Sequence, residues 1–289
     1  MRIWLMAARP RTLPAAVAPV LVGTALAVHD TDRLKVLVLI ATLLGAILIQ
    51  VGTNLSNDYS DARRGADTED RLGPVRVTAG GLVPPRQVLV ATYLTFALAV
   101  LVGLYLVAVA GPELLLVGAA SILAGVLYTG GPRPYGYEGL GEVFVFTFFG
   151  IVAVTGSYYV QAEELPWEAF VLAVPVGLLA AAILVVNNVR DLETDRRAGK
   201  RTLAVRMGRD RTRTLFAVMV YGAYLVVAVL AATWSPWVLL ALLSVPLAVA
   251  LVRLVRTHAD GPTLNEALAR TGMVQLVFCA LLSAGVLLA

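Results

Sequence analysis

The sequence is poor in cysteine and histidine. Its 289 residues include one cysteine, Cys279, and two histidines, His29 and His258. A single cysteine in an apolar stretch excludes a disulfide framework and a cysteine metal cluster within the chain. Two histidines that flank different segments argue against a histidine-ligated zinc or haem site. These scarcities remove two common classes of site.

Charge is scarce as well. Charged residues make up 15% of the chain and hydrophobic residues 59%, and the mean hydropathy is +0.81. A soluble domain of this length cannot bury so much apolar surface, so lipid must be the solvent for much of it. The composition predicts an all-α polytopic membrane protein.

The sequence is rich in long apolar runs. A run needs about 20 residues to cross a bilayer as a helix. No segment outside the runs is large enough for a separate soluble domain, so residues 1–289 are predicted to form one integral-membrane domain. Nine runs are long enough: 12–29, 34–56, 87–110, 113–130, 141–161, 167–189, 213–233, 236–255 and 269–288.

The placement of basic residues predicts the orientation. With nine spans, the N-terminus and every second connection lie on one side of the membrane. Of the 23 lysines and arginines, all but Arg33 and Lys35 fall on that side. The positive-inside rule therefore predicts a cytoplasmic N-terminus and a C-terminus outside.

Two connections on the basic side resemble each other. Residues 54–71 read NLSNDYSDARRGADTEDR and residues 187–201 read NNVRDLETDRRAGKR. Each segment follows an apolar run and places asparagines and spaced carboxylates before basic residues. Positions four apart lie on one face of a helix. The pairs at that spacing are Asn54–Asp58, Asn57–Asp61, Asn187–Asp191 and Asp191–Asp195.

These oxygen-rich segments suit a hard cation. Mg²⁺ prefers oxygen ligands and usually binds through a few carboxylates together with substrate phosphate oxygens. Crowded carboxylates repel each other unless a cation neutralises them. Basic side chains beside them suit the phosphate oxygens that the metal does not cover. The candidates for this second role are Arg63, Arg64, Arg71, Arg76, Lys200 and Arg201.

Simpler explanations stay open for single residues. A basic loop can serve as a topology determinant alone, which is favoured for Arg206, Arg209, Arg211 and Arg213. A lone aspartate at a helix end is often a solvated cap, and Tyr128 and Tyr137 fit interfacial aromatics equally well. Two clusters with the same spacing on one side of the membrane, however, favour a metal–diphosphate site.

The motifs also resemble a known family. NDYSD (57–61) and NNVRDLETD (187–195) resemble the UbiA superfamily of intramembrane aromatic prenyltransferases. The longer match is to the branch that prenylates 1,4-dihydroxy-2-naphthoate in menaquinone synthesis. Four segments carry it in order: ARPRTLPAAVAPVLVG (8–23), NLSNDYSDARRGADTEDRLGPVRVTAGG (54–81), GPRPYGYEGLGEVFVFTFFG (131–150) and NNVRDLETDRRAGKRTLAVRMG (187–208).

The resemblance implies a fold and an activity. The expected fold is a UbiA-type bundle of nine transmembrane helices. The expected activity is the Mg²⁺-dependent transfer of a polyprenyl group from polyprenyl diphosphate to 1,4-dihydroxy-2-naphthoate. Carbon dioxide and diphosphate are released, and demethylmenaquinone results. The resemblance further implies a multi-pass protein of a bacterial-type cell membrane, in contact with lipid and not with nucleic acid, with its active site near the cytoplasmic face.

The resemblance also implies roles for individual residues. Asp58, Asp61, Asp191 and Asp195 are the expected catalytic carboxylates. The metal set adds Asn54, Asn57, Asp67 and Asn187 to these four. The expected diphosphate ligands are Arg63, Arg64, Tyr128, Arg133, Lys200 and Arg201, and the candidates for the acceptor carboxylate are Arg9, Arg11, Arg71 and Arg76.

Two departures from the superfamily pattern affect these roles. The third carboxylate of the first motif, Asp67, comes two residues later than the usual spacing. Many members carry a lysine in the loop after residue 128, where Arg133 is the basic candidate here.

Other functions remain open from the sequence. Within the family, 4-hydroxybenzoate, homogentisate or haem are alternative acceptors. A CDP-alcohol phosphotransferase also uses intramembrane aspartates, but its D-G-x-x-A-R start is absent. A secondary transporter can place paired carboxylates at helix breaks, although usually nearer mid-membrane.

Overall fold

The computed structural model describes residues 2–66 and 72–289, so the predicted site residues Asp67 and Arg71 lie outside the described part of the chain.

Every regular element in these two ranges is helical. Short 3₁₀ turns cover Pro10–Thr12, Tyr135–Glu138 and Pro236–Ser244, and a π-helix covers Phe146–Val152. The α-helices are α1 (Arg2–Ala8), α2 (Pro14–Thr31), α3 (Val36–Arg63), α4 (Pro85–Ala110), α5 (Glu113–Leu127), α6 (Gly141–Val145), α7 (Ala153–Ala162), α8 (Trp167–Arg197), α9 (Leu203–Met207), α10 (Arg209–Thr233), α11 (Val245–Thr257) and α12 (Gly261–Leu287).

Eight helical segments of the described chain are long and apolar enough to cross a membrane. They are α2, α3, α4, Gly141–Ala162, α8, α10, Pro236–Thr257 and α12. The run predicted at 113–130 forms α5, an apolar helix of 15 residues, which is about 22 Å long at 1.5 Å per residue. The all-helical membrane architecture is therefore confirmed, while the count of nine spans and the orientation of the termini stay predictions.

Proline placement explains the start of the bundle. Pro14 is the first residue of α2, a position where the missing N–H of proline removes no helical hydrogen bond. Pro19 lies inside α2.

Helix α8 is at the centre of the core. Most of its residues are buried, among them Leu172, Val176 and Leu179, and it contacts α10, α12 and the π-helix. Gly150 of the π-helix faces Gly177 of α8 so closely that a Cβ on Gly150 would lie 2.5 Å from the Cα of Gly177. Small residues permit such close helix packing within lipid. By contrast, α3 and α4 expose most of their apolar surface.

The spaced asparagines and aspartates of both acidic motifs are helical, from Asn54 to Asp61 and from Asn187 to Asp195. Helix α3 continues beyond its apolar run to Arg63, and α8 continues to Arg197. The helical spacing predicted for the two motifs is therefore confirmed. After α3, residues 72–84 return across its end in turns before α4 begins at Pro85.

Candidate active site

The two acidic motifs meet at one end of a cavity of about 560 Å³. Helix α3 contributes residues from the first motif and α8 contributes residues from the second. The rest of the cavity is mainly apolar. The predicted metal residues in its wall are Asn54, Asn57, Asp61, Asn187, Asp191 and Asp195.

Asp61 is a buried carboxylate of this cavity with several polar contacts. It is 2% exposed. The Tyr137 hydroxyl donates to its Oδ1 at 2.6 Å, and Arg76 Nη2 lies 3.4 Å from its Oδ2. Lys200 Nζ is 3.7 Å from Asp61 Oδ1 and 3.8 Å from Asp195 Oδ1. Lys200 thus bridges the two motifs, and its ammonium also lies 4.6 Å from the centroid of the Tyr137 ring.

Asp191 is paired with its neighbour in the sequence. Arg190 donates from Nε to Asp191 Oδ1 at 2.8 Å and from Nη2 to Oδ2 at 2.6 Å. The same Nη2 donates to Asn187 Oδ1 at 2.8 Å. Arg190 is 2% exposed. Arg190 was not among the residues predicted for the site, although a charge within a long apolar helix is itself a signal of a functional site.

Asp58 does not line the cavity formed by the described residues. It is 1% exposed. Its Oδ1 accepts a hydrogen bond from the Thr78 backbone N–H at 2.9 Å, and its Oδ2 accepts one from the Val77 N–H at 3.1 Å. These bonds fix the turn in which the Leu82 N–H donates to Val77 O. Arg76, at the start of this turn, thereby reaches the cavity.

The two asparagines of the first motif connect α3 to neighbouring segments. Asn54 Nδ2 donates to Ala8 O at 3.0 Å and to Thr12 Oγ1 at 3.1 Å. Asn57 Oδ1 accepts from the Thr129 hydroxyl at 2.9 Å. Both asparagines also line the cavity.

The predicted basic residues divide into two groups. Lys200 lines the cavity, as does Tyr128. The other predicted diphosphate ligands are exposed and lie outside the described cavity wall. Among them, Arg63 donates to the Tyr59 hydroxyl, and Arg133 pairs with Glu138. These exposed residues are Arg63, Arg64, Arg133 and Arg201.

A second polar group lies in the wall beside the N-terminal segment. Arg9, whose φ is 52°, donates from Nη2 to Asn54 O at 3.3 Å. Gln50 Nε2 donates to Thr12 Oγ1 at 3.0 Å. Of the predicted acceptor ligands, Arg9 and Arg76 line the cavity, whereas Arg11 is exposed.

Aromatic rings form one wall of the cavity. Tyr128 meets Tyr135 edge to face at 5.5 Å, Tyr135 stacks on Phe144 at 3.9 Å, and Phe144 stacks on Phe148 at 6.2 Å, between ring centroids. The Tyr135 hydroxyl donates to Ala124 O at 2.9 Å. Burial raises the pKa of Tyr135 well above its usual range, so its phenol stays neutral.

The apolar part of the cavity runs between α3, α4, α5 and the segment 141–162. Glycines on these helices, such as Gly45, Gly103 and Gly118, keep the passage open. A long apolar chain fits such a lining because its burial is favourable along the whole length.

The polar end offers oxygen ligands in a balanced charge environment. Three carboxylates (Asp61, Asp191 and Asp195) are paired with three cations (Arg76, Arg190 and Lys200). Within residues 2–66 and 72–289, no three acidic, histidine or cysteine side chains are grouped closely enough for a ready-made metal site. Carboxylate and amide oxygens of this kind fit a hard divalent cation that also binds substrate phosphate oxygens.

Comparisons with known proteins agree with this architecture. The model of the UbiA prenyltransferase family matches residues 16–287. The chain is 45% identical over 288 residues to the 1,4-dihydroxy-2-naphthoate octaprenyltransferase of Mycobacterium tuberculosis, covering 98% of this chain and 96% of that protein. It is 41% identical over 276 residues to the Escherichia coli enzyme of the same name, covering 93% and 89%.

A solved structure shares the fold. It is that of a UbiA homolog from Archaeoglobus fulgidus bound to GPP and Mg²⁺, and it superposes with a TM-score of 0.66 at 17% identity. The superposition covers 99% of this chain and 100% of the homolog.

Proposed function

This chain belongs to the UbiA prenyltransferase family, and from that premise we propose that it transfers a polyprenyl group from polyprenyl diphosphate to 1,4-dihydroxy-2-naphthoate. The observation that carries the proposal is the 41% to 45% identity, over nearly the full length, to octaprenyltransferases named for that acceptor. The product is the demethylated precursor of menaquinone.

The chain is a multi-pass membrane protein by its long apolar helices and its family. The proposed location is a bacterial-type cell membrane, with the polar end of the cavity near the cytoplasmic face. The concentration of lysine and arginine on that side of the predicted spans supports this orientation.

A divalent metal, Mg²⁺, is proposed as the cofactor. Related folds have been solved with Mg²⁺ and with Cd²⁺. Asp61, Asp191 and Asp195 would hold the metal, with amide oxygens of Asn57 and Asn187. When bound, the metal neutralises diphosphate oxygens and so favours departure of the diphosphate. This set is narrower than the one expected from the sequence, because Asp58 does not line the described cavity wall and instead accepts hydrogen bonds from two backbone N–H groups.

The cations of the polar end would bind the leaving diphosphate. Lys200 and Arg76 both line the cavity and both face Asp61. Charge-assisted hydrogen bonds from such groups to phosphate oxygens are among the stronger ones in proteins. They stabilise the negative charge that develops as the carbon–oxygen bond breaks.

The aromatic acceptor would lie between the polar end of the cavity and the N-terminal segment. Arg9 is a cation in that part of the wall, beside Thr12 and Gln50. It would attract the acceptor carboxylate and orient the ring toward the allylic carbon. The new carbon–carbon bond forms at the ring carbon that carries the carboxylate. Carbon dioxide then leaves, and the electron pair of its bond returns to the ring.

The apolar walls would protect the reactive allylic cation. Water would capture such a cation, so a dry cavity is required for transfer to the ring. The passage between α3, α4 and α5 would hold the polyprenyl tail, and the aromatic wall from Tyr128 to Phe148 offers ring faces that attract a cation.

An acceptor comparison tests the proposal. Purified protein in lipid nanodiscs is incubated with Mg²⁺, a series of polyprenyl diphosphates and one of three acceptors: 1,4-dihydroxy-2-naphthoate, 4-hydroxybenzoate or homogentisate. Mass spectrometry should find a naphthalene product that gained one prenyl group and lost carbon dioxide, with diphosphate released. Transfer to 4-hydroxybenzoate or homogentisate, without transfer to the naphthoate, would overturn the acceptor assignment.

A further inference from the structure

Arg190 is a buried cation with all its nitrogens in use. Nε and Nη2 donate to the two oxygens of Asp191, Nη2 donates also to Asn187 Oδ1, and Nη1 donates to Asn265 Oδ1 at 2.7 Å. The side chain is not part of the described cavity wall. Since each of its three side-chain nitrogens donates to a protein oxygen, Arg190 does not need a substrate as a hydrogen-bond partner.

Asn265, which accepts the hydrogen bond from Arg190, also contacts the connection that follows α3. Its Nδ2 donates to Leu72 O at 2.9 Å. Leu72 also packs on Gly261, where a Cβ would lie 3.0 Å from the leucine Cβ. Helix α12 thereby joins the second acidic motif to the connection that follows the first.

The bonds of Arg190 leave its partners able to bind a metal. A carboxylate offers about four lone-pair positions and an amide oxygen two. Arg190 uses two positions on Asp191 and one on Asn187, so each oxygen keeps a free position. The planar guanidinium donates to both carboxylate oxygens and so fixes the carboxylate in one orientation. A lysine ammonium acts as a point charge and cannot do this.

We infer that Arg190 is a positioning residue, which holds Asp191 and Asn187 in the orientation that binds metal and is itself held by Asn265 of α12. The inference rests on the proposed function. Groups that orient metal ligands in this way typically change metal affinity or activity about 10- to 100-fold when they are replaced.

The test measures metal dependence by binding as well as by turnover. Purified protein in nanodiscs is titrated with Mg²⁺ at a fixed concentration of geranyl S-thiolodiphosphate, an unreactive diphosphate analogue, and the bound analogue is counted. Arg190→Lys keeps the positive charge but cannot donate to both Asp191 oxygens with a planar guanidinium. We expect it to raise the Mg²⁺ concentration for half-maximal binding about 10- to 100-fold, with a much smaller change in kcat at saturating Mg²⁺.

Asn265→Ala tests the same inference without removing a charge. It should raise the half-maximal Mg²⁺ concentration in the same direction by a smaller factor, and it decides the matter if Arg190→Lys does not fold. Arg196→Met is the matched control, because Arg196 lies on the same helix but is exposed and pairs with Glu193 at 3.0 Å. Its Mg²⁺ dependence should equal that of the wild type.

Two results would overturn the inference. One is an unchanged Mg²⁺ dependence in folded Arg190→Lys, or in Asn265→Ala if the lysine variant does not fold. The other is weaker analogue binding that saturating Mg²⁺ does not restore, which would mean that Arg190 contacts the diphosphate. Failure of the proposed function is distinguishable in the wild-type protein. A wrong acceptor would leave analogue binding dependent on Mg²⁺ while the naphthalene product is missing, and a wrong metal cofactor would make analogue binding independent of Mg²⁺.

Discussion

At the end of α3 the carboxylate of Asp58 is held by backbone N–H groups of Val77 and Thr78, whereas at the end of α8 the carboxylate of Asp191 is held by the Arg190 side chain. The first contact fastens a turn that brings Arg76 to the cavity. The second leaves Asp191 in the cavity wall. These two carboxylates thus act differently: Asp58 of the first motif folds a connection, and Asp191 of the second motif lines the site.

The difference follows from what surrounds each helix end. The connection after α3 returns across the helix and offers unpaired backbone donors, which a carboxylate accepts readily. The end of α8 is packed against other helices, so a buried carboxylate there needs a cation beside it. The following substitutions test this contrast, from the largest expected effect to the smallest.

Asp191→Asn should have the largest effect. The amide keeps one oxygen for Arg190 but loses the charge that a metal requires, so we expect prenyl transfer to fall about 1,000-fold or more. Initial rates in nanodiscs at several Mg²⁺ concentrations measure this. Arg196→Met serves as the control, and near-normal turnover of Asp191→Asn would contradict a role for Asp191 in metal binding.

Asp61→Asn should lower transfer by less, roughly 100-fold. Asp61 faces Lys200, Arg76 and Tyr137 at the polar end, so the substitution also removes a negative charge from beside two cations. The half-maximal Mg²⁺ concentration should rise. An unchanged Mg²⁺ dependence would remove Asp61 from the metal set.

Lys200→Met should weaken binding of the diphosphate. Losing one charge-assisted contact to phosphate costs about 1.5–3 kcal/mol, or roughly 10- to 100-fold in KM for polyprenyl diphosphate. The adjacent Arg201→Met is the matched control, because Arg201 is exposed outside the cavity wall. Equal KM changes in the two variants would argue against a specific contact by Lys200.

Asp58→Asn should have the smallest effect on chemistry. An amide oxygen can replace only part of the carboxylate, so one of the two backbone N–H groups loses its partner at a cost of about 1–3 kcal/mol in stability. Thermal unfolding should show a lower midpoint, while the half-maximal Mg²⁺ concentration stays at the wild-type value. A shift in Mg²⁺ dependence as large as that of Asp61→Asn would contradict a purely structural role for Asp58.

The sequence predicted the bundle and the meeting of the two motifs well. Long apolar runs and repeated carboxylate spacing are local patterns, and α3 and α8 follow them. The runs do not predict how far a helix extends, and α5 stops at 15 residues because Tyr128 and the glycines after it begin a turn.

Side-chain partners were harder to predict. The role of Asp58 depends on residues 77 and 78, about twenty positions away, and the Tyr137 hydroxyl reaches Asp61 from 76 positions away. Local periodicity carries no information about such contacts. Arg63 and Arg64 show the converse: they lie next to the motif in sequence and point to the exposed surface.

Helices α3 and α8 both contribute their C-terminal ends to the site. Asp61 and Asp195 each lie in the last turn of their helix, where aligned peptide dipoles amount to roughly half a negative charge. Two such ends beside one cavity add a field that attracts cations and repels phosphate, beyond the charges of the side chains. A diphosphate is therefore expected to enter this cavity together with its divalent metal, as a complex of low net charge.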